Sequence, residues 1–428
     1  MQSLGRGDFR VLAKSPHPAR IFILTSTFYT AALERPLIHL LTSAGENMSV
    51  KCVPYNQLHT FLLDPRSVIP HDTPAKVVLL LRVEDLIRLE LVALDQANPV
   101  AVEGCIRAFR ERTEQFLDIL GRMSHVSVAL MICPSGRGAY DIRFLGNALR
   151  VAEHRIAAEL RVPQRHHVIG WSEFERALKI SNCFNPSGDR LGHVPFTPAG
   201  LDALATFLSK RLDRMPTSTF TQQEDVRGTT DLEHFLAGLR VEMDVVPMNP
   251  KDEQAAVNLA RHTTHFINWP GRKLNDGGIR ALAAAAPAGE AWIVKVRDRF
   301  GDYGVSGAFT FGIERQAMQV GLLFLTCPVL GRQVEYALIG WMTKLAALRG
   351  ADFVEIPLVA GPDNGGLQQL LQRLVETSDM ATVSGEAERT YRLPVSGLAD
   401  RVIKEAPNPT SVSAILSQVL GERIATWA

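Results

Sequence analysis

Cys327 lies in the segment whose residue types best suit acyl-group chemistry. The stretch LTCPVLGRQVE places this cysteine between an apolar strand and the start of a helix, with Gly331, Arg332 and Glu335 just after it. Backbone N–H groups at a helix start bind anions, and together with Arg332 they would lower the pKa of the thiol and favour the nucleophilic thiolate. We therefore predict that Cys327 accepts an acyl group beside an anion site formed by the three residues that follow. A cysteine buried at a strand end is the alternative.

Three further polar residues of the C-terminal half are candidates for supporting roles. His265, with His262 close by in the sequence, is the predicted general base if folding brings one of them near the thiol. Asp302 lies in the turn DRFGDYG between two strands and is predicted to be catalytic, and Asn364 precedes a helix and is predicted to bind the donor. The alternatives are a packing or surface histidine, a structural turn and a helix N-cap.

A second set of candidates lies in the N-terminal half. Ser26 follows the first apolar strand, and Asp189 and His193 precede the last helix of that half. A hydroxyl, a base and a carboxylate that orients the base form a nucleophilic triad, and their order here resembles that of SGNH-type esterases. The sequence has Leu-Thr-Ser where Gly-Asp-Ser is usual, and Asp-x-x-x-His where Asp-x-x-His is usual. The alternative is that Ser26 caps the first helix and His193 packs at an interface.

Short apolar runs alternate with amphipathic stretches through residues 20–212. Runs such as KVVLLL and SVALMI are typical of strands buried on both faces, and their alternation with helices predicts a parallel sheet between two helical layers. In such a doubly wound α/β domain, of the SGNH or flavodoxin kind, chemistry takes place at the carboxyl ends of the strands. That rule places Ser26 at the active edge.

The pattern changes after residues 213–231, a polar stretch without periodicity that is predicted to be a linker. In residues 232–428 an antiparallel meander comes first and strands then alternate with helices, which predicts an α+β domain with a mixed sheet. The strand, turn and helix around Cys327 resemble the part of GNAT acyltransferases that cradles a pantetheine or pyrophosphate group, although Gly331 is the one glycine present there. Residues 1–19 are predicted to be an N-terminal extension.

Composition excludes several classes of function. The 428 residues carry a formal net charge of +1, which gives no field to attract nucleic acid or an acidic membrane. No apolar run reaches bilayer-spanning length, and the N-terminus lacks the apolar core of a signal peptide. Five cysteines without a CxxC pair disfavour a disulfide framework and a structural zinc site. We therefore expect a cytoplasmic protein without a metal, a nucleic-acid partner or a membrane.

The motifs DRFGDYG and CPVLGRQVE resemble the C-terminal region of FkbH-like proteins, which carry D-R-F-G-x-x-G followed by S-C-R-V-x-G-R-x-x-E. HTTHFIN at residues 262–268 is similar to the K-T-N-Q-F-N of that family, and RLGHVPFTP at residues 190–198 is similar to the SGNH-like domain that often precedes it. The resemblance implies loading of glyceryl or related acyl units onto acyl carrier proteins, with the acyl group on Cys327. Pro328 stands where the family usually has Arg, and His265 stands near its Gln.

The central haloacid-dehalogenase-type phosphatase of that family is not predicted here, because no D-x-D-x-T motif follows an apolar strand. The donor is then expected to be a thioester already. We predict an acyltransferase of polyketide or nonribosomal-peptide type biosynthesis with no permanent cofactor. An acyl carrier protein, or CoA, would present the acyl group on phosphopantetheine, and a small molecule would accept it. The alternatives are an SGNH-type hydrolase that uses Ser26 and His193, and a non-catalytic scaffold that binds carrier proteins.

Overall fold

A five-stranded parallel sheet, in the order β2-β1-β3-β4-β5, forms the centre of the N-terminal half. The computed structural model describes residues 20–53, 57–65, 68–70, 72–123, 126–135, 141–161, 166–177, 182–219, 225–263, 266–269, 284, 289–361, 364–385 and 388–423. The five strands are β1 (Arg20–Ser26), β2 (Met48–Cys52), β3 (Ala75–Leu81), β4 (Val128–Ile132) and β5 (His167–Ile169). Strand β3 is buried along its whole length, as a strand covered on both faces requires.

Helices cover both faces of this sheet. They are α1 (Glu34–Ser43), α2 (Leu58–Leu63), α3 (Arg88–Ala93), α4 (Pro99–Arg122), α5 (Gly146–Arg161), α6 (Trp171–Ala177), α7 (Pro186–Gly192) and α8 (Pro198–Ser209). Alternate residues of β1 belong to opposite cores: Ile21 and Ile23 to the core that contains α4 and α5, and Phe22 and Leu24 to the core that contains α1 and α8. The doubly wound architecture predicted from the sequence is therefore confirmed.

The strand order also fixes where a ligand crevice belongs. Strands β1 and β3 are neighbours, although β2 lies between them in the chain. The chain therefore leaves β1 toward one edge of the sheet and leaves β3 toward the other. In open α/β sheets the ligand crevice forms at such a reversal, outside the carboxyl ends of the strands. The residues that follow Ser26 and Leu81 lie at this position.

A mixed sheet, in the order β12-β13-β11-β10-β9-β8-β6, forms the C-terminal half, and β7 also pairs with β10. Its strands are β6 (Glu242–Pro247), β7 (Phe266–Ile267), β8 (Glu290–Asp298), β9 (Gly301–Glu314), β10 (Ala317–Leu325), β11 (Phe353–Val359), β12 (Thr382–Ser384) and β13 (Glu388–Pro394). The helices are α9 (Asp225–Gly238), α10 (Pro250–His262), α11 (Val334–Leu348), α12 (Gly365–Glu376), α13 (Leu398–Glu405) and α14 (Pro409–Arg423). Strands β8, β9 and β10 are antiparallel and β11 is parallel to β10, so the predicted mixed sheet is confirmed.

Helix α9 begins inside the segment that was predicted to be a linker. Its residues Leu232 and Leu236 pack in the core of the N-terminal half. Ser218, earlier in that segment, pairs with Ala75 at the start of β3. The expectation of irregular structure is therefore wrong for residues 225–231, because leucines beyond the end of the segment give the helix a buried face. The division of the chain into domains stays a prediction.

Asn268 joins the two parallel strands β10 and β11 where they no longer pair with each other. Its backbone N–H donates to the Leu323 carbonyl at 3.0 Å, and its carbonyl accepts from the Val359 N–H at 2.9 Å. Its side-chain Oδ1 accepts from the Leu323 N–H at 2.7 Å, and its Nδ2 donates to the Gly321 carbonyl at 3.0 Å. This fully buried residue thus fills the gap between the strands.

Replacement of Asn268 by alanine is expected to lower the free energy of unfolding by about 2–4 kcal/mol, because the Leu323 N–H and the Gly321 carbonyl would remain buried without partners. Chemical denaturation of the purified variant measures the change. Asn258→Ala, which alters an exposed asparagine of α10, is the matched control and should have little effect. Equal losses in the two variants would show that the bridge between the strands does not stabilise the sheet.

Candidate functional site

A cavity of about 160 Å³ lies between the two halves of the chain, at the edge where β1 and β3 end. This is the crevice that the strand order predicts. Residues after β1, after β3 and after α7 form its N-terminal wall, and the β8–β9 turn with the segment before α11 forms the opposite wall. The lining residues used below are Ser26, Asp85, Arg88, Gln115, His193, Tyr303, Pro328 and Arg332.

Ser26 reaches this cavity from the end of β1. Its hydroxyl donates to the Phe28 carbonyl at 2.5 Å and lies 3.1 Å from the Thr30 hydroxyl. The residue is almost completely buried, and it lines the cavity. It does not cap the first helix, because Thr30 and Leu33 occupy the N-cap positions there. The structure therefore places the predicted hydroxyl where a small substrate could meet it.

His193 lines the same cavity as Ser26. It ends α7 in the left-handed conformation, with φ of 57°. Burial, and then the positive charge of Arg88, lowers the pKa of His193 to about 3. The imidazole is therefore neutral at pH 7, and its basicity is far below that of the ordinary histidine base of a triad.

Asp189 is the counter-ion of two arginines, a role that the sequence did not predict. Arg82 Nη1 donates to its Oδ2 at 2.8 Å, and Arg88 Nη1 donates to its Oδ1 at 3.0 Å. Arg88 Nη2 also donates to the Asp189 carbonyl. Burial alone would raise the pKa of Asp189, but the two guanidinium groups outweigh it and lower the pKa. Both carboxylate oxygens thus pair with positive charge, and the order Ser, Asp, His does not by itself make a triad.

Two acidic residues after β3 complete this buried charge network. Arg82 pairs with Glu84 at 3.3 Å and with Asp85 at 3.3 Å, and the Thr27 hydroxyl donates to Asp85 Oδ2 at 3.0 Å. Burial raises the pKa of Asp85 to about 7, with Arg82 opposing the rise and Glu84 adding to it. Because Asp85 also lines the cavity, it is a candidate proton acceptor whose pKa suits neutral pH.

The C-terminal wall of the cavity is organised by Asp298. Its Oδ2 lies 2.5 Å from Arg332 Nη1, and its two oxygens accept from the Tyr303 hydroxyl at 3.2 and 3.3 Å. The Phe300 N–H donates to Asp298 Oδ1 at 2.7 Å. The segments DRFGDYG and PVLGR, which are far apart in the sequence, are therefore fixed to each other beside the cavity.

Phe300 anchors the C-terminal half to the N-terminal half. Arg112 of α4 donates to the carbonyls of Arg299, at 3.2 Å, and of Phe300, and its Cζ lies 4.5 Å from the Phe300 ring centroid. His59 of α2 stacks on the same ring, with centroids 6.2 Å apart and planes 16° apart. Burial, and then the nearby arginine Arg332, lowers the pKa of His59 to about 3, so this ring packs as an uncharged group.

Burial disfavours the predicted Cys327 thiolate, although the residue is partly exposed, and its catalytic role stays a prediction. Burial raises the pKa of the thiol to about 11, so only roughly one molecule in ten thousand carries the thiolate at pH 7. Arg332 does not offset this rise, and its guanidinium is held by Asp298 and the Pro328 carbonyl. Pro328 lines the cavity, whereas Cys327 is not among its described lining residues. None of the five cysteines forms a disulfide.

Alkylation of Cys327 by iodoacetamide is expected to be slow at pH 7 and to speed up about tenfold for each pH unit toward about 11, because the thiolate is the reacting form. Peptide mass mapping across this pH range measures the rate at this residue. Cys327→Ala identifies the modified peptide. A rate that levels off near pH 8 would mean that the thiol is activated after all.

The amide of Gly331, predicted to be free for an anion, is occupied. It donates to Glu335 Oε1 at 2.5 Å, and burial raises the pKa of this carboxyl group. Gly331 has φ of 75°, and a Cβ there would lie 3.2 Å from Cγ of Gln57. The glycine therefore serves a left-handed turn in close contact with the N-terminal half. The expected anion site at this helix start is wrong for Gly331 and Glu335, because an acidic side chain of the same helix already fills it.

Asn364 has a structural role in place of the donor-binding role that was predicted from the sequence. Its Oδ1 accepts from the Gly361 N–H at 2.9 Å and from Gln368 Nε2 at 2.7 Å. Its Nδ2 donates to the carbonyls of Ile267 and Val359, both at 3.0 Å. The amide group therefore has four protein partners.

Asp302 and His265 are the remaining predicted residues. Asp302 is exposed, and its Oδ1 accepts from the Gly304 N–H at 2.8 Å, as expected of a hairpin turn. Its neighbour Tyr303 lines the cavity instead. His265 lies outside the described residues, so its predicted role as a base stays a prediction.

No family model and no curated protein matches the sequence. Similar solved structures include a GNAT-family acetyltransferase from Staphylococcus aureus, with 8% identity, a TM-score of 0.27, and coverage of 36% of this chain and 99% of that one. Spermidine N-acetyltransferase from Vibrio cholerae has 12% identity and a TM-score of 0.26, and covers 37% of this chain and 98% of its own. The N-terminal part of a Bacteroides fragilis protein containing a phosphatase domain has 13% identity and a TM-score of 0.33, with 46% and 51% covered.

These similarities are too distant to indicate a reaction, so the function has to be derived from the cavity. The resemblance to FkbH-like proteins stays a prediction. Within the described ranges no helix is long and apolar enough to cross a membrane, and no three potential metal ligands come together.

The charge network after β3 is the main functional feature that sequence reasoning missed. Arg82, Glu84 and Asp85 were not among the predicted site residues. The signal was present, because ionisable residues directly follow the apolar run that ends β3, at the reversal of strand order. The sequence gave no such signal for Arg88, because its partner Asp189 lies about a hundred positions away in the chain.

Proposed function

We propose that this chain is an acyltransferase that takes an acyl group from a thioester and passes it to an acceptor inside the cavity between its halves. The observation that carries the proposal is the composite wall of this cavity. Ser26, Asp85 and His193 come from the N-terminal sheet edge, and Tyr303 and Arg332 come from the C-terminal half. A site built by both halves suits a reaction that must bring together a donor and an acceptor.

Direct transfer fits this geometry better than transfer through a cysteine. An amine or hydroxyl of the acceptor attacks the thioester carbonyl, the new C–N or C–O bond forms, and the C–S bond breaks. The Asp85 carboxylate accepts the proton of the attacking group, and the thiol leaves after protonation from solvent. Transfer through an acyl adduct on Cys327 is the alternative route, and the high pKa of that thiol disfavours it.

The finer assignment rests on the sequence motifs. The donor is a phosphopantetheine thioester, on an acyl carrier protein or on CoA, and the acceptor is a small molecule of a polyketide or nonribosomal-peptide type pathway. The motifs DRFGDYG and CPVLGR support this assignment because they build one wall of the cavity, through Phe300, Tyr303, Pro328 and Arg332.

Hydrolysis is the second candidate function, because Ser26 and His193 line the same cavity. A serine hydrolase would form an ester between the acyl group and Ser26 and then release it to water. The low pKa of His193 and the pairing of Asp189 with arginines weigh against it.

Thiol release from acyl-CoA and from an acylated carrier protein, measured with and without candidate amine or alcohol acceptors, tests both functions. Acyl transfer predicts thiol release that depends on the acceptor, with a new acylated product in the mass spectrum. Hydrolysis predicts that thiol is released without any acceptor and that Ser26→Ala abolishes this release. Ser43→Ala, a change of an exposed serine, should leave the release intact. Absence of turnover with every donor, with carrier binding retained, would leave only the scaffold function.

A further inference from the structure

We propose that the phosphopantetheine arm of the donor enters along one face of α4, from a second cavity at the surface to the cavity where the acyl group reacts. The inference rests on the proposed function, and it assigns the tether to a place other than the helix start near Gly331. That helix start is closed by Glu335.

The two cavities share a wall on α4. The second cavity has a volume of about 240 Å³, and Gln115 and Ile119 line both it and the first cavity. Leu63 and Phe235 add apolar surface to the second cavity, which suits the methyl groups of pantetheine. The two cavities are therefore adjacent at these two residues, and the proposed arm would pass between them there.

The residues along this path are spaced as one stripe of a helix. Arg112, Gln115, Ile119 and Arg122 follow one another at intervals of three, four and three residues, and α4 contains all of them. Arg112 lines the inner cavity, and Arg122 lines the outer one. Ten residues of helix span about 15 Å. The roughly twelve bonds between the phosphate oxygen and the sulfur of phosphopantetheine cover the same length when extended.

Gln115 offers a ligand the acceptor atom Oε1, for which the described residues supply no donor. Its Oε1 is buried and accepts no hydrogen bond in the part of the chain that the structure describes. A buried acceptor without a donor is costly, so a ligand N–H at this point would be favoured. Pantetheine carries two amide N–H groups along its arm, whereas a simple fatty chain carries none.

The outer opening carries positive charge suited to a phosphate. Arg299 is exposed and, within the described residues, pairs with no carboxylate. Its Nη1 would lie 3.4 Å from a Cβ at Gly238, so the side chain extends toward α9. Partial burial, and then the like charge of Arg112, lowers the pKa of Arg299, whereas Asp298 and Asp118 act in the opposite direction. A bound anion would add to the effect of these carboxylates.

Other charged residues also line this opening. Arg122 pairs with Asp118 within α4 at 2.9 Å, and His234 is exposed on α9. Asp118 is the one acidic residue among the described lining residues of the outer cavity. The opening keeps a positive balance, because Arg122 and Arg299 outnumber Asp118 among its described lining residues.

Binding of 4′-phosphopantetheine and of pantetheine without the phosphate, measured by titration calorimetry on the full chain, tests the route. Arg299→Gln should weaken phosphopantetheine binding about tenfold and leave pantetheine binding unchanged, because it removes only the phosphate contact. Gln115→Leu should weaken both ligands by a similar factor. Arg214→Gln, a change of an exposed arginine outside both cavities, is the matched control and should change neither.

Arg299→Gln and Gln115→Leu also show whether the phosphopantetheine arm belongs to CoA or to a carrier protein. Weakened binding of both CoA and a phosphopantetheinylated carrier protein means that the route serves either donor, and an effect on one of them identifies that donor. Unchanged binding in both variants overturns the route. If binding follows these predictions but no acyl turnover occurs, the route is supported and the proposed function is refuted. If turnover is unimpaired in both variants, the proposed function is supported and the route is refuted.

Discussion

Replacement of Asp189 by asparagine is expected to lower the free energy of unfolding at pH 7 by about 3–5 kcal/mol, a larger loss than the one expected for Asn268→Ala. Asp189 is completely buried and receives hydrogen bonds from Arg82 and Arg88. Asparagine keeps the shape but removes the negative charge, which leaves two buried guanidinium groups with Asp85 as their remaining shared carboxylate. Urea denaturation followed by circular dichroism measures the change.

The exposed ion pair between Asp141 and Arg143 provides the matched control. Asp141→Asn should leave the unfolding midpoint unchanged, because solvent screens such pairs. A small effect of Asp189→Asn, similar to that of the control, would mean that the buried network does not depend on this carboxylate. The pKa shift gives the pH dependence: because the folded pKa of Asp189 is lowered, its stabilisation is present above the unfolded pKa and is lost as the pH falls through the folded pKa.

Replacement of Asp85 by asparagine is expected to reduce the rate of acyl transfer by about 10²–10⁴-fold, the loss typical of removing a general base. In the parent protein, kcat/KM should rise with pH through about 7 and then level off, because the carboxylate form is the proton acceptor. The variant should lose this rising limb. Steady-state thiol release between pH 5.5 and 9 (roughly the range on either side of that pKa) measures both effects.

Several charged neighbours set the titration of Asp85 and enter the interpretation of this experiment. Arg82 and Arg88 favour its ionised form, whereas Glu84 and Asp189 oppose it. Asp95→Asn, a change of an exposed aspartate, is the control for a general charge effect. A purely structural role for Asp85 would lower stability and activity together and would keep the pH profile, so a retained rising limb in Asp85→Asn would contradict the assignment.

Most of the fold followed from local patterns in the sequence. The apolar runs that became β3 and β4 are buried on both faces, and a parallel sheet between helices is the arrangement that buries them. The helix around Trp341 and the hairpin at Gly301 were likewise predicted from helical periodicity and turn residues. Strand β13 and the last two helices were not predicted, because their segments contain fewer consecutive apolar residues.

The site was harder to predict, because its chemistry depends on partners that are distant in the sequence. Cys327 had the local signs of an activated thiol, but Asp298, almost thirty residues earlier, captures the arginine that would have activated it. A helix start also suggested an anion site, but the side chain of Glu335 closes it. Burial disfavours the thiolate, and the side chains of Asp298 and Glu335 occupy the groups that were expected to stabilise it. The local sequence shows neither effect.

The location of the acyl group during reaction is the most direct test of the composite site. A phosphopantetheine thioester whose acyl chain carries a diazirine can be bound, irradiated and mapped by peptide mass spectrometry. We expect labels on both walls of the cavity, in peptides that contain Asp85 or His193 and in the peptide that contains Tyr303, and we expect an unlabelled thioester to compete them away. Labels confined to one half of the chain, or to surfaces away from this cavity, would contradict acyl transfer between the two halves.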